Sequence, residues 1–211
     1  MNQQPEATIG VDVADPYAAR PWLRHYPAGS TPDIAPVTQT VPDLLRVAVD
    51  RYPDRVAFTY YGRHLTYREV DRLSSKFANR LIEHGVKPGD RVLIVLANMP
   101  QYPIVHLGTL KAGGVVAALS PLLVERELDD LAVDSGARVV VALDRVWDRI
   151  APLVERGVVE RAIMTGPQDF LPTIKRWLYP LKYRKEMITV PFDAARGIYS
   201  LPALLKGASD R

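Results

Sequence analysis

The chain has 211 residues, 47% of them apolar and 24% charged, enough for one substantial buried core. It has no cysteine, which excludes disulfides and thiolate metal sites. The formal charge is only +3, and the uncharged run Ala112 to Val124 has 13 residues broken by glycine, serine and proline, too short to span a bilayer. The first twenty residues lack a basic stretch followed by an apolar one, so no signal peptide is expected and a cytoplasmic chain is the default.

Residues 1–39 are rich in Pro, Ala and Asp without a period and read as an extended arm, with Pro21-Trp22-Leu23 and Tyr26-Pro27 as packing anchors. Thr40 to Tyr52 reads as an amphipathic helix through Leu44, Leu45, Val47 and Ala48. Val56 to Tyr60 and Leu65-Thr66-Tyr67 flank Tyr61-Gly62-Arg63-His64, a hairpin by turn chemistry. Thr66 and Glu69 form a capping box at the start of a helix whose stripe is Val70, Leu73, Phe77 and Leu81. Gly85 supplies the left-handed helix end, and Lys87-Pro88-Gly89-Asp90 a turn. Val92 to Leu96 is then a continuous apolar run, suited to a parallel strand covered on both faces.

The cycle repeats. Asn98 is expected to cap a helix with Pro100 in its first turn and Ile104, Leu107 and Leu110 on the buried side. Val115 to Leu119 is the next strand. Glu125 to Asp134 forms a helix with Leu128, Leu131 and Ala132 inward, closing at Gly136. Arg138 to Leu143 is another buried strand. Asp144 is expected to cap a helix through Val146, Ile150, Leu153 and Val154, and Ala162-Ile163-Met164 to be the last strand. After Gly166 the alternation stops, apart from a short helix over Ser200 to Leu205. Strands alternating with helices predict an α/β fold, a mainly parallel sheet with helices on both faces. Three segments result: the arm 1–39, an α/β core 40–166, and an irregular basic-aromatic stretch 167–211.

The residues offer little catalytic chemistry. No glycine-rich phosphate loop occurs, and Ala28-Gly29-Ser30-Thr31-Pro32 reads as a plain turn because no strand–helix unit surrounds it. His25, His64, His84 and His106 are scattered and read as surface or helix-end residues. Asp129 and Asp130 point about 100° apart on a helix and read as solvated charge. One segment stands out. Lys175, Arg176, Trp177, Tyr179, Lys182, Tyr183, Arg184 and Lys185 combine five cations with three aromatics and no acid, leaving −2 for the rest of the chain. Three readings compete: contact with an anionic membrane surface, stacking on single-stranded nucleic acid, the least favoured, or a solvated loop whose rings plug into the core.

A family resemblance rests on Leu65-Thr66-Tyr67-Arg68-Glu69-Val70, Gly89-Asp90-Arg91-Val92, Asn98-Met99-Pro100 and Leu110-Lys111-Ala112-Gly113-Gly114. Together they resemble the amino-terminal part of the adenylate-forming, AMP-binding ligase superfamily. Pro21-Trp22-Leu23, Tyr26-Pro27 and Asp169-Phe170-Leu171-Pro172 narrow the resemblance to bacterial long-chain fatty acyl-CoA ligases. Two departures, Ser120-Pro121 where the family usually has Asn-Pro and Ala118 where it often has proline, bear on one strand exit. The resemblance implies activation of a long-chain fatty acid with ATP and Mg to an acyl-adenylate, then transfer to coenzyme A. Such chemistry needs donors for the triphosphate and a lysine for the carboxylate. The family supplies them from a Ser/Thr/Gly-rich loop ending in Lys-Gly, an aromatic-Gly-x-Thr-Glu segment, a ribose-binding Asp and a carboxyl-terminal lysine. None of these lies within residues 1–211, so no catalytic, cofactor or metal residue is assigned. The chain by itself is expected to be inactive, with the remainder of the ligase covering part of the sheet. The alternatives are a stand-alone binding module or an incomplete gene product. Peripheral attachment at the inner face of the cell membrane would follow from the membrane reading of the basic segment.

Overall fold

A computed structural model describes residues 19–31, 33–34, 36–184 and 187–210. The chain forms two units, Met1–Thr38 and Gln39–Arg211. In the first, the segment read as extended contains a short 3-10 helix, Pro21–His25, which opens on a proline in its first turn. Arg20 pairs with Asp33 at 2.7 Å. Ser30 N–H donates to the Pro27 carbonyl with Gly29 at φ 86°, the plain turn expected over these residues.

The second unit begins with α1 (Val41–Arg51), where Thr40 and Asp43 make a reciprocal capping box. Its inward residue is Leu45, while Leu44 and Val47 are exposed. The inward stripe therefore lies one step round from the expected one, along Leu45, Ala48 and Val49. The hairpin β1 (Val56–Tyr60) and β2 (Arg63–Thr66) closes through two residues only, Tyr61 and Gly62. Both have positive φ, 49° and 92°, the turn whose twist matches the strands. Arg63 and His64 thus belong to β2 and not to the turn.

Helix α2 (Tyr67–Glu83) opens with the predicted Thr66–Glu69 box. At its other end Gly85, at φ 82°, donates to Ile82 O, and Val86 donates to Leu81 O. Those two bonds satisfy the last carbonyls, and Leu81 and Val86 are both buried, as this helix ending requires.

Five strands follow in the order β4-β3-β5-β6-β7: β3 (Arg91–Val95), β4 (Val115–Ala118), β5 (Val139–Leu143), β6 (Arg161–Thr165) and β7 (Ile198–Ser200). Every pairing is parallel. From β3 the chain steps one way to β4, then turns back across β5, β6 and β7. Right-handed crossovers in opposite directions place α3 (Gln101–Lys111) on one face and α4 (Glu125–Ser135) and α5 (Trp147–Glu155) on the other. The packing agrees: α3 and α7 (Leu201–Lys206) pack on α2, while α4 and α5 pack on each other. All of β5 is buried, as is β3 after Arg91. A fully buried Val or Ile contributes roughly 1.5–3 kcal/mol, so a charge at Val140 would remove the sheet's centre.

Several expectations change. Asn98 does not cap α3; Pro100 occupies that position without a side-chain cap. The buried side of α3 is Gln101, Ile104, Val105, Gly108 and Thr109, with Leu107 and Leu110 half-buried. Leu131 is exposed on α4. Asp144 begins a 3-10 turn, Asp144–Val146, ahead of α5, and its carboxylate accepts from the adjacent Arg145 N–H at 2.8 Å. Strand β6 is not the last, because β7 pairs beside it. The stretch read as irregular contains a helix, α6 (Thr173–Tyr183).

Candidate functional site

The neighbours β3 and β5 are the strands from which the chain leaves in opposite directions, and ligands of such sheets gather at the carboxyl ends beside that reversal. Here those ends carry a polar network. Gln101, in the first turn of α3, donates through Nε2 to Thr165 Oγ1 at 3.2 Å and to Gly166 O at 2.9 Å. Thr165 Oγ1 and Gly166 N–H both donate to Asp169 Oδ2, at 2.7 and 2.9 Å. Gln168 Nε2 donates to Asp144 Oδ2 at 3.1 Å. Burial pushes the Asp144 carboxyl above its ordinary value, although the Gln168 and Arg145 hydrogen bonds pull the other way.

This network caps and positions. Thr165 with Asp169 is a hydroxyl–carboxylate pair without an imidazole, and Asp169 serves the 3-10 turn Pro167–Phe170 as its third residue. Phe170 is buried beneath the hairpin, with the Arg63 guanidinium 5.1 Å from its ring centre. The Asp169-Phe170-Leu171-Pro172 motif therefore anchors the start of α6.

Beside it lies a cavity of about 520 Å³ between Tyr60 and Tyr61 of the hairpin, Arg145, Leu171 and α6. Of the basic-aromatic residues, Lys175, Tyr179, Lys182 and Tyr183 line it. Lys175 Nζ donates to Tyr61 O at 2.6 Å, and Arg145 Nη2 to the Tyr179 hydroxyl at 3.0 Å. The Tyr179 and Tyr183 rings stack at 4.7 Å. Burial, then Tyr61 and Tyr179, push the Tyr60 hydroxyl above its ordinary value, so it stays neutral. Arg176, Trp177 and Arg184 are exposed; Lys185 lies outside the described residues. The segment is thus divided, with two tyrosines inward and Trp177 outward. Arg145, Tyr60 and Tyr61 belong to this place but carry no local sequence signal, since only folding brings the hairpin and the β5 exit to α6.

The remaining candidates stay apart. Asp129 pairs with Arg156, and Asp130 lies 3.8 Å from Arg126. His84 ends α2 with its ring 4.8 Å from Tyr199. His106 is not at a helix end: it sits half-buried within α3, where burial lowers its pKa. Among the described residues no three His, Asp or Glu side chains gather as a metal site. The donor set at the sheet's carboxyl ends does not fit a nucleoside triphosphate: Asp144 and Asp169 are acceptors, and Gly166 N–H is already engaged.

The topology and the open carboxyl ends define a doubly wound α/β protein. Residues 45–186 match the model of the AMP-binding enzyme family, and the chain belongs to that family. It is 31% identical over 187 residues to a long-chain-fatty-acid–CoA ligase of Bacillus subtilis strain 168, covering 89% of this chain and 33% of the relative. A long-chain-fatty-acid–CoA ligase of Escherichia coli O157:H7 is 34% identical over 171 residues, covering 79% and 30%. The apo structure of Mycobacterium smegmatis MbtA superposes with a TM-score of 0.63 at 26% identity, covering 82% and 28%. The chain therefore spans about a third of the length of the curated relatives it matches.

Proposed function

We propose that this chain is the amino-terminal portion of a long-chain fatty acid–CoA ligase, supplying scaffold to an active site completed by further sequence. The observation carrying this reading is the match of most of the chain to ligases with that printed activity. In the complete enzyme ATP and a fatty acid give an acyl-adenylate and pyrophosphate, and coenzyme A then takes the acyl group and releases AMP. Magnesium, when bound, neutralises triphosphate charge. This chain's residues hold the sheet and its carboxyl-end loops in place. The outer edge of β4, with Val115 exposed, is a surface for the remainder to cover.

Fatty-acid-dependent ATP–pyrophosphate exchange tests the proposal. The purified 211-residue chain is expected to show none, because the family's ATP-binding motifs do not lie within residues 1–211. The reading frame beyond Arg211 is expected to encode the Ser/Thr/Gly-rich loop ending in Lys-Gly, and the longer product to be active. Exchange by the short chain would overturn its inactivity. A stop codon after Arg211 would overturn the ligase portion in favour of a stand-alone module or an incomplete gene product.

A further inference from the structure

Helix α6 turns an apolar face away from the protein. Ile174, Trp177, Leu178 and Leu181 are 76%, 83%, 56% and 80% exposed. Their spacing of three and four places them within about 100° of arc on an α-helix. Tyr179 and Tyr183 occupy the opposite, inward side. Lys175 and Lys182 flank the stripe on one side, Lys175 being held to Tyr61 O, and Arg184, just past the helix end, flanks it on the other; Arg176 lies about 100° beyond Trp177, toward Tyr183, and the helix contains no acid. We propose that α6 is an interfacial helix that lies in the surface of an anionic bilayer. The apolar stripe enters the outer acyl region, Trp177 sits at headgroup depth, and Lys182 and Arg184 meet lipid phosphates.

Other occupants fit less well. Single-stranded nucleic acid needs several outward rings for base stacking, whereas Tyr179 and Tyr183 face inward and stack on each other. Aliphatic Ile174, Leu178 and Leu181 would add nothing to such a surface. A second copy packed symmetrically through the same helix would oppose like charges. The inference concerns α6 alone, and its failure would leave the ligase reading in place.

Because the chain has no cysteine, a single Leu181→Cys change accepts an environment-sensitive fluorophore cleanly. Arg126→Cys on α4, whose native side chain is 92% exposed, is the control. With vesicles of phosphatidylcholine containing about one third phosphatidylglycerol, the label at 181 should shift blue and be quenched by brominated acyl chains. The label at 126 should do neither. Replacing Lys182 and Arg184 with glutamine should weaken partitioning at low salt by at least about tenfold, with an unchanged circular dichroism spectrum. The proposal is overturned by no lipid response at 181 or by equal responses at both positions. Shielding of 181 without lipid, on raising protein concentration or in a longer polypeptide containing this chain, also overturns it, as does binding to oligothymidine in place of vesicles.

Discussion

Lys111 shows what a family motif residue does in this fold. Its ammonium donates to Asp71 Oδ1 at 2.7 Å, Asp71 O at 3.0 Å and Ser75 Oγ at 3.0 Å, tying α3 to α2. The lysine side chain is 16% exposed and the aspartate 38%, so water screens the pair in part. Lys111→Met should lower unfolding free energy by about 1–2 kcal/mol. A double-mutant cycle with Asp71→Asn should return coupling of about 1 kcal/mol; additive losses would show that the contact is incidental. Asp144 makes a second prediction, in pH. Its carboxyl is held above its ordinary value near 3.8, so the folded state keeps a proton that the unfolded chain releases. Native stability therefore falls as pH rises from about 3.8 through the raised value. Asp144→Asn cannot titrate, so its unfolding midpoint should improve relative to the native chain over that window. A pH-independent difference would contradict the assignment.

Among the described elements, α2 and α3 share the most extensive helix contact. A Cβ at Gly108 would sit 2.7 Å from Ser74 O and 2.8 Å from Phe77 Cδ1. Helix propensity alone favours alanine there by about 1 kcal/mol. Overpacking against backbone acts oppositely, and the Phe77 side chain has no space to retreat because it is fully buried. Gly108→Ala should therefore destabilise the chain by about 1–3 kcal/mol in denaturant titration, and a neutral or stabilised variant would refute the close approach. The same glycine explains why the inward stripe of α3 differs from the expected leucines. The helix presents its small and polar side to α2, and Leu107 packs partly under the hairpin with Leu45, Leu65 and Val70.

For the whole molecule, the matched family motifs lie at structural junctions. Thr66 and Glu69 start α2, and Lys111 locks α3 to it. Gly89 donates to Gly113 O, and Val115 to Asp90 O, where β3 and β4 begin. These groups are committed to backbone and neighbouring side chains, so the matched motifs serve the scaffold. That division underlies the expected absence of ATP–pyrophosphate exchange by the 211-residue chain. No described helix is long and apolar enough to cross a membrane.

What sequence by itself determined were the elements governed by local rules. The Thr66–Glu69 box, Gly85 after α2, Gly136 after α4 and the buried runs of β3 and β5 all read correctly, because caps and strand patterns act between near neighbours. Tertiary structure decided the rest. Pro180 and the mixed composition concealed α6, whose inward side is defined by Tyr179 meeting Arg145 from the β5 exit. Strand β7 is three residues long and exists because Ala162 to Met164 offers it a parallel edge. The cavity needs the hairpin turn beside α6. The basic-aromatic composition was visible from the start. Which residues turned inward and which formed an apolar outer stripe depended on contacts distant in the chain, and local spacing carries no record of them.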